Sequence, residues 1–283
     1  MFQIPLDHTG ASLGLGMELA GRTALLTGAT GGLGRAIARA LAERGAVLSL
    51  SARKPDALET LAAELPGSGH RVVPADLAEP GAAERLAADA GEVEILVANA
   101  GVQGGGLLGE LTPDQVTRAL RVNLEAPMLM ARALYPAMVE HGSGHLVFIS
   151  SLNGKVASPR CSLYSATKFG LRGFALGLRM DLGPLGVGAS LVSPGFVREA
   201  GMFAEAGVKP PPGMGTTTPE RVAAATVNAI ERDKAEVVPA TLQLRAMSHF
   251  ALAAPGISVR AQSGSVGQKM AKAVADGHPP SKW

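Results

Sequence analysis

Thr23-Ala24-Leu25-Leu26-Thr27-Gly28-Ala29-Thr30-Gly31-Gly32-Leu33-Gly34, running into a helical stretch from Arg35 to Glu43, is the segment that decides the fold. Its first residues read as a buried strand, its glycines as a tight loop and the stretch after them as a helix. A second strand beginning near Ala46 completes a βαβ unit. Gly28, Gly32 and Gly34 permit a sharp turn, close approach of the backbone to a pyrophosphate and packing of helix on strand, with the helix N-terminus facing negative charge. A glycine cluster alone is often only a turn. The strand before it and the helix after it make this one a dinucleotide-binding loop.

Outward from that unit, apolar strand candidates alternate with helical stretches: Val47 to Ser51, Val72 to Pro74, Ile95 to Ala98, His145 to Ser150, Val187 to Val192 and Glu236 to Pro239. Such alternation predicts an α/β fold with a single doubly wound parallel sheet flanked by helices. We expect one domain over residues 21–240, an N-terminal extension over 1–20 and a basic, partly helical C-terminal extension over 241–283. Thr112-Pro113-Asp114-Gln115 is a capping box with proline at the first helical position, and Thr218-Pro219-Glu220 repeats the device. Pro127 falls inside the helix that starts at Thr112 and is expected to bend it shortly after Asn123.

The chemistry centres on Tyr164-Ser165-Ala166-Thr167-Lys168, where a four-residue spacing sets a phenol and an ammonium on one helix face. A phenol titrates near pH ~10, and a fixed positive charge beside it stabilises phenolate, each tenfold gain in acidity being worth about 1.4 kcal/mol. In isolation such a pair is usually a surface helix pair. Ser151, thirteen residues upstream, ends the apolar run His145 to Ser150 and so falls at the carboxyl edge of a buried parallel strand, where open α/β sheets build their sites. Strand-end capping is the plain reading of Ser150 and Ser151. With a tyrosine following at this distance, a serine hydroxyl and a phenol can instead converge on one carbonyl oxygen.

With these motifs in this order, and with Asn99-Ala100-Gly101, Asn123 and Pro194-Gly195 among them, the chain resembles a short-chain dehydrogenase/reductase from about Gly21 to Pro239. The resemblance implies a Rossmann-like fold and a catalytic set of Asn123, Ser151, Tyr164 and Lys168. Ser151 would orient the substrate carbonyl and Tyr164 would donate or remove the proton. Lys168 would lower the tyrosine pKa and bind the nicotinamide ribose, and Asn123 would support a water-linked proton relay. Asn99 would hold the framework. The implied cofactor contacts are Gly28, Thr30, Gly32, Leu33, Gly34, Arg53, Asp76, Leu77, Asn99, Ala100, Gly101, Tyr164, Lys168, Pro194, Gly195 and Val197. Substrate contacts are Ser151, Asn153, Tyr164 and Phe196; no metal is implied. A homodimer or homotetramer through the helices bearing Asn123 and Tyr164 is expected on the same ground.

Leu50-Ser51-Ala52-Arg53-Lys54 closes the second strand without the acid that would accept hydroxyl bonds from a ribose. A carboxylate repels a 2′-phosphate, whereas an arginine fork pairs with it, so NADP(H) is the expected cofactor and NAD(H) the alternative. Arg53 stacking on adenine or facing water is the competing reading, and Gly31 offers no second charge. After Pro194-Gly195-Phe196-Val197-Arg198, Glu199 replaces the family's usual threonine. A glutamate accepts from a carboxamide NH2 but offers its carbonyl nothing unless protonated. It is expected to leave that task to the backbone or to face solvent.

The 283 residues are 47% apolar, enough to bury a large core in one domain. The single Cys161 cannot form an internal disulfide and fits a reducing, cytoplasmic setting. It is either a wall of the substrate pocket or an inert buried thiol. A formal charge of +2 leaves no footprint for nucleic acid, and no run of about eighteen apolar residues exists to span a bilayer.

Two glycine-rich apolar loops, Val102 to Glu110 and Arg198 to Gly215, are expected over the pocket and point to a lipophilic carbonyl substrate. Leu107, Leu108, Asn153, Phe196, Met202, Phe203 and Met214 are candidate lining residues, and Pro210-Pro211-Pro212-Gly213 stiffens part of the second loop. From Thr241 onward, Arg245, Arg260, Lys269, Lys272 and Lys282 oppose only Asp276. Leu242 to Leu252 reads as a helix that packs on its own subunit or a neighbour, with weak contact to an anionic membrane surface as the other reading. The expected function is an oxidoreductase moving hydride between NADP(H) and a ketone or secondary alcohol. The alternative is a catalytically silent dinucleotide-binding sensor or scaffold on the same fold.

Overall fold

The computed structural model describes residues 16–200, 207 and 214–277. β1 (Thr23–Thr27) enters the glycine loop and α1 (Gly32–Ala42) leaves it, followed by β2 (Val47–Ser51), α2 (Pro55–Glu64), β3 (Arg71–Val72), α3 (Ala82–Asp89) and β4 (Ile95–Ala98). Next come α4 (Pro113–Leu120), α5 (Ala126–Glu140), β5 (Gly144–Ile149), α6 (Ser162–Leu182), β6 (Val187–Val192), α7 (Pro219–Glu231) and β7 (Glu236–Val237). Three helices close the described chain: α8 (Leu242–Ala253), α9 (Pro255–Gln262) and α10 (Ser265–Gly277).

The strands form one parallel sheet in the order β3-β2-β1-β4-β5-β6-β7. Strand order reverses between β1 and β4, which opens a crevice at their carboxyl ends where open sheets of this kind take ligands. Both faces are apolar. Leu26, Ile37, Leu48, Leu50 and Ile230 fill one side, and Leu25, Leu96, Met130, Phe148 and Leu191 the other. The two edge strands are shorter than their apolar runs. Pro74 and Pro239, which lack an N–H for the ladder, lie beyond them.

Where a bend was expected after Asn123, a five-residue π-helical segment, Arg121–Glu125, is inserted between α4 and α5. Pro127, in the first turn of α5, has no N–H to give to the carbonyl four residues back, at Asn123. The ladder widens instead. Such single-turn bulges recur at functional positions, and this one turns the Asn123 side chain inward, where it is fully buried.

Candidate active site

Thr27, the last residue of β1, stitches the crevice together: its hydroxyl accepts from the backbone N–H groups of Asn99 (3.1 Å) and Ala100 (3.0 Å). The Asn99 amide donates in turn to the carbonyls of Thr27 (2.9 Å) and Gly28 (3.2 Å). This pins the glycine loop to the end of β4. Gly28 adopts φ +64°, and a Cβ there would stand 2.9 Å from the Ala100 Cα; a Cβ on Gly34 would meet the Gly28 carbonyl at 2.1 Å. Both positions therefore exclude side chains. No side chain caps the start of α1 at Gly31, so its first N–H groups keep their capacity for an anion. A cradle of this shape, closed to side chains and lined with donors, fits a dinucleotide pyrophosphate.

From this cradle a single cavity of about 1150 Å³ runs along the carboxyl edge of the sheet. Gly28, Thr30, Gly32, Leu33, Gly34, Arg53, Asp76, Leu77, Asn99, Ala100, Gly101, Pro194, Gly195 and Val197 all line it, as do Ser151, Asn153, Tyr164 and Phe196. The basic end of the wall holds more than Arg53, since Lys54 and Arg35 also lie on it. Arg35 was not singled out in the sequence. The signal was available, because a residue in the first turn after a glycine loop stands beside whatever the loop binds. Asp76 accepts from the Ala78 N–H at 2.9 Å and faces Arg118 at 3.7 Å.

At the other end, Ser151 follows β5 and Tyr164 lies in the first turn of α6, and the Ser151 hydroxyl lies near enough to the phenol to favour its ionised form. The Ser151 Oγ also accepts from the Asn153 N–H at 3.1 Å. Lys168 sits one turn beyond, 3% exposed, with its Nζ 5.7 Å from the Tyr164 ring centre and donating to the Ile149 carbonyl at 3.0 Å. Lys168 and Asn123 stand behind the cavity wall rather than on it. Asn123 bonds both backbone groups of Val102 at 2.8 Å and donates to Thr167 Oγ1 at 3.4 Å; Thr167 in turn donates to the Tyr164 carbonyl at 2.7 Å. The π segment is thereby tied to the turn that carries Tyr164.

Burial sets the electrostatics of the chain by itself. Burial raises the Tyr164 phenol to about 12, outweighing the Ser151 hydroxyl that favours phenolate. Burial also lowers Lys168 to about 8. Burial is the largest influence on the phenol in the chain by itself and favours its protonated form.

Other expectations change in detail. Cys161 lines the cavity and burial pushes its thiol up to about 11, so it is a neutral wall group and not a nucleophile. Glu199 takes φ +70°, stands exposed and accepts from Arg198 Nε at 2.8 Å, facing solvent. Met214 lines the cavity as expected, whereas Leu107 and Leu108 are exposed and do not. Leu108 opens a three-residue 3-10 turn and Leu107 precedes it. Met202, Phe203 and the Pro210 to Gly213 stretch fall outside the described residues. Gln103 was missed: it is 9% exposed on the cavity wall, and its Oε1 has no partner within the described structure. The larger surprise is the C-terminal extension, because Leu244, Met247 and Phe250 of α8, Ile257 of α9 and Ala271 of α10 form part of the same wall. Among the described residues no helix is long and apolar enough to cross a membrane, and none of His, Cys, Asp or Glu cluster as a metal site.

A glycine cradle for a dinucleotide, opening on a cavity lined by the Ser151 and Tyr164 hydroxyls, fits one class: an oxidoreductase that acts on CH–OH and C=O groups with a nicotinamide dinucleotide. Comparison with known proteins narrows this. Residues 22–210 match the short chain dehydrogenase family. The ketoacyl reductase HetN of Nostoc sp. is 35% identical over 226 residues, which cover 78% of this chain and 79% of that protein. Dehydrogenase/reductase SDR family member 7B of Mus musculus is 37% identical over 183 residues, covering 61% of this chain and 57% of its own length. A short-chain dehydrogenase from Sphingobium yanoikuyae, solved in complex with NADPH, superposes with a TM-score of 0.73 at 27% identity, over 83% of this chain and 94% of that one. The chain belongs to the short chain dehydrogenase family.

Proposed function

We propose that this protein is an NADPH-preferring enzyme that interconverts a lipophilic ketone and its secondary alcohol, with Tyr164 as general acid in reduction and general base in oxidation. The observation that carries the reading is the Ser151–Tyr164 hydroxyl pair, opening on a cavity that is continuous with the glycine cradle. A nicotinamide held there supplies or accepts the hydride. Ser151, whose Oγ already accepts from Asn153, has its own proton to give to a substrate carbonyl. Tyr164, protonated and next to it, delivers a proton to the same oxygen as negative charge builds there. The buried Lys168 ammonium favours the phenolate left behind. Asn123 holds the turn of Tyr164 in register through Thr167.

The preference for NADPH is supported by Arg35, Arg53 and Lys54 on the wall and by Ser51-Ala52 where a ribose-binding acid would stand. Leu120 on α4 and Phe169 and Met180 on α6 are exposed, which supports assembly as a homodimer or homotetramer over these helices. The test is a panel of ketones and alcohols followed by nicotinamide absorbance with both cofactors, on wild type and Tyr164→Phe. Loss of the general acid is expected to reduce turnover by about 10²–10⁴-fold with NADPH binding retained. Equal rates for the two proteins would remove Tyr164 from the mechanism.

A further inference from the structure

The cavity continues past Tyr164, between the loop that joins Ser151 to α6 and the three C-terminal helices. Its outer part is lined by Val156, Met247, Phe250, Ile257, Ala271 and Val274. Every charged residue on the described wall, namely Arg35, Arg53, Lys54, Asp76 and Arg118, belongs to the nucleotide end; no lining residue after Arg118 carries a charge. The family match ends at residue 210, so the outer wall from Leu244 onward lies beyond it.

One side chain holds this wall to the catalytic loop. Gln262, the last residue of α9, donates from Nε2 to the Ala157 carbonyl at 2.8 Å, and its Oε1 accepts from Ser158 Oγ at 3.3 Å. Its second amide proton reaches Ser258 Oγ at 3.3 Å. Both ends of the amide are thus committed to joining α9 to the segment between Ser151 and Tyr164. An apolar wall fixed to the loop that presents the reacting hydroxyls selects the part of a substrate remote from its carbonyl.

We infer that α8, α9 and α10, latched through Gln262, form the distal wall of a substrate chamber that selects uncharged carbonyl compounds bearing an extended apolar chain. This deepens the ketone reductase reading and rests on it for the position of the carbonyl. The uncharged wall disfavours a substrate with a carboxylate or phosphate at its far end, since neither would find a partner there.

The experiment measures binding of methyl nonyl ketone and methyl ethyl ketone to the full-length protein saturated with NADPH, read as the rapid quenching of reduced nicotinamide fluorescence in a stopped flow before turnover consumes it. Wild type, Ala271→Phe and Gln262→Ala are compared. Wild type is expected to gain about fourfold in affinity for each added methylene that the chamber buries. Ala271→Phe, which narrows the chamber, is expected to weaken the long ketone by about tenfold or more, the equivalent of roughly two buried methylenes, and to spare the short ketone and NADPH. Gln262→Ala is expected to act in the same direction, and it decides the matter if Ala271→Phe loses NADPH binding through misfolding. A wild type that binds both ketones alike, or a long-to-short ratio unmoved by Gln262→Ala and by a folded Ala271→Phe, overturns the chamber. Discrimination in binding with no turnover of either ketone supports the chamber and sinks the reductase reading instead.

Discussion

Glu236, on the short edge strand β7, is where a single substitution should cost this fold heavily. Its carboxylate lies 3.1 Å from Lys155 Nζ and 3.3 Å from Arg172 Nη2, and Ser193 Oγ donates to it at 3.2 Å. The three partners come from different places: Lys155 from the segment after Ser151, Arg172 from one turn past Lys168 on α6, and Ser193 from just before Pro194. The Lys155 side chain is 1% exposed and Glu236 is its only salt-bridge partner among the described residues. At 3.1 Å, an effective dielectric of about 20 makes the Lys155–Glu236 attraction worth about 5 kcal/mol. Glu236→Gln removes that attraction and leaves a buried ammonium uncompensated, a change that typically costs 3–5 kcal/mol, or about a third to a half of an ordinary domain's stability. Arg172, partly exposed, adds little because water screens it. Urea unfolding of wild type, Glu236→Gln, Lys155→Met and the double variant measures this directly. The double variant is expected to be more stable than the sum of the two single losses predicts by about 2 kcal/mol or more, since no lone charge is left. Losses below about 1 kcal/mol for Glu236→Gln, or strictly additive losses, would refute the account.

Two more outcomes follow from the same structure. Arg53→Ala and Arg35→Ala are each expected to weaken NADPH more than NADH, by roughly tenfold if a charge-assisted phosphate contact worth about 1.5–3 kcal/mol is lost; an unchanged ratio of dissociation constants would count against phosphate recognition at this end of the wall. His145 is fully buried on β5, its Nε2 hydrogen-bonded to Ser190 Oγ at 2.8 Å, and burial lowers its pKa from 6.5 to about 4. A folded value below the unfolded one means that the unfolded chain binds more protons in that window. Stability from this group is therefore present above pH 6.5 and lost as pH falls towards 4, by up to about 3 kcal/mol. His145→Asn should flatten this part of the stability profile, and an identical slope in wild type and variant would exclude His145 as its source.

Much of this was legible in the chain. Thr23 to Gly34 announces its strand, loop and helix because local alternation and glycine placement are properties of neighbouring residues, and β2, β4 and β6 match their apolar runs residue for residue. The break in the α-helical ladder around Asn123 was foreseeable from Pro127, since a missing N–H is a covalent fact. Ser151, Tyr164 and the glycine loop line one cavity, as the family resemblance implied. Arg35, Gln103 and Lys155 were not legible in the same way. Each is an ordinary polar residue whose meaning comes from what the fold sets opposite it.

The amino-acid order by itself determined the parallel sheet, the cradle at its switch point and the placing of the Ser151 and Tyr164 hydroxyls towards the carboxyl edge of the sheet, because these depend on periodicity, on the absence of Cβ atoms and on fixed helical spacing. Only the tertiary structure decided that the C-terminal helices wall the site, that Glu236 gathers polar partners from three separate segments and that burial pushes the Tyr164 phenol up from its ordinary value. Those outcomes depend on burial and on contacts between distant parts of the chain, and desolvation is set by everything packed around a group rather than by its neighbours in sequence.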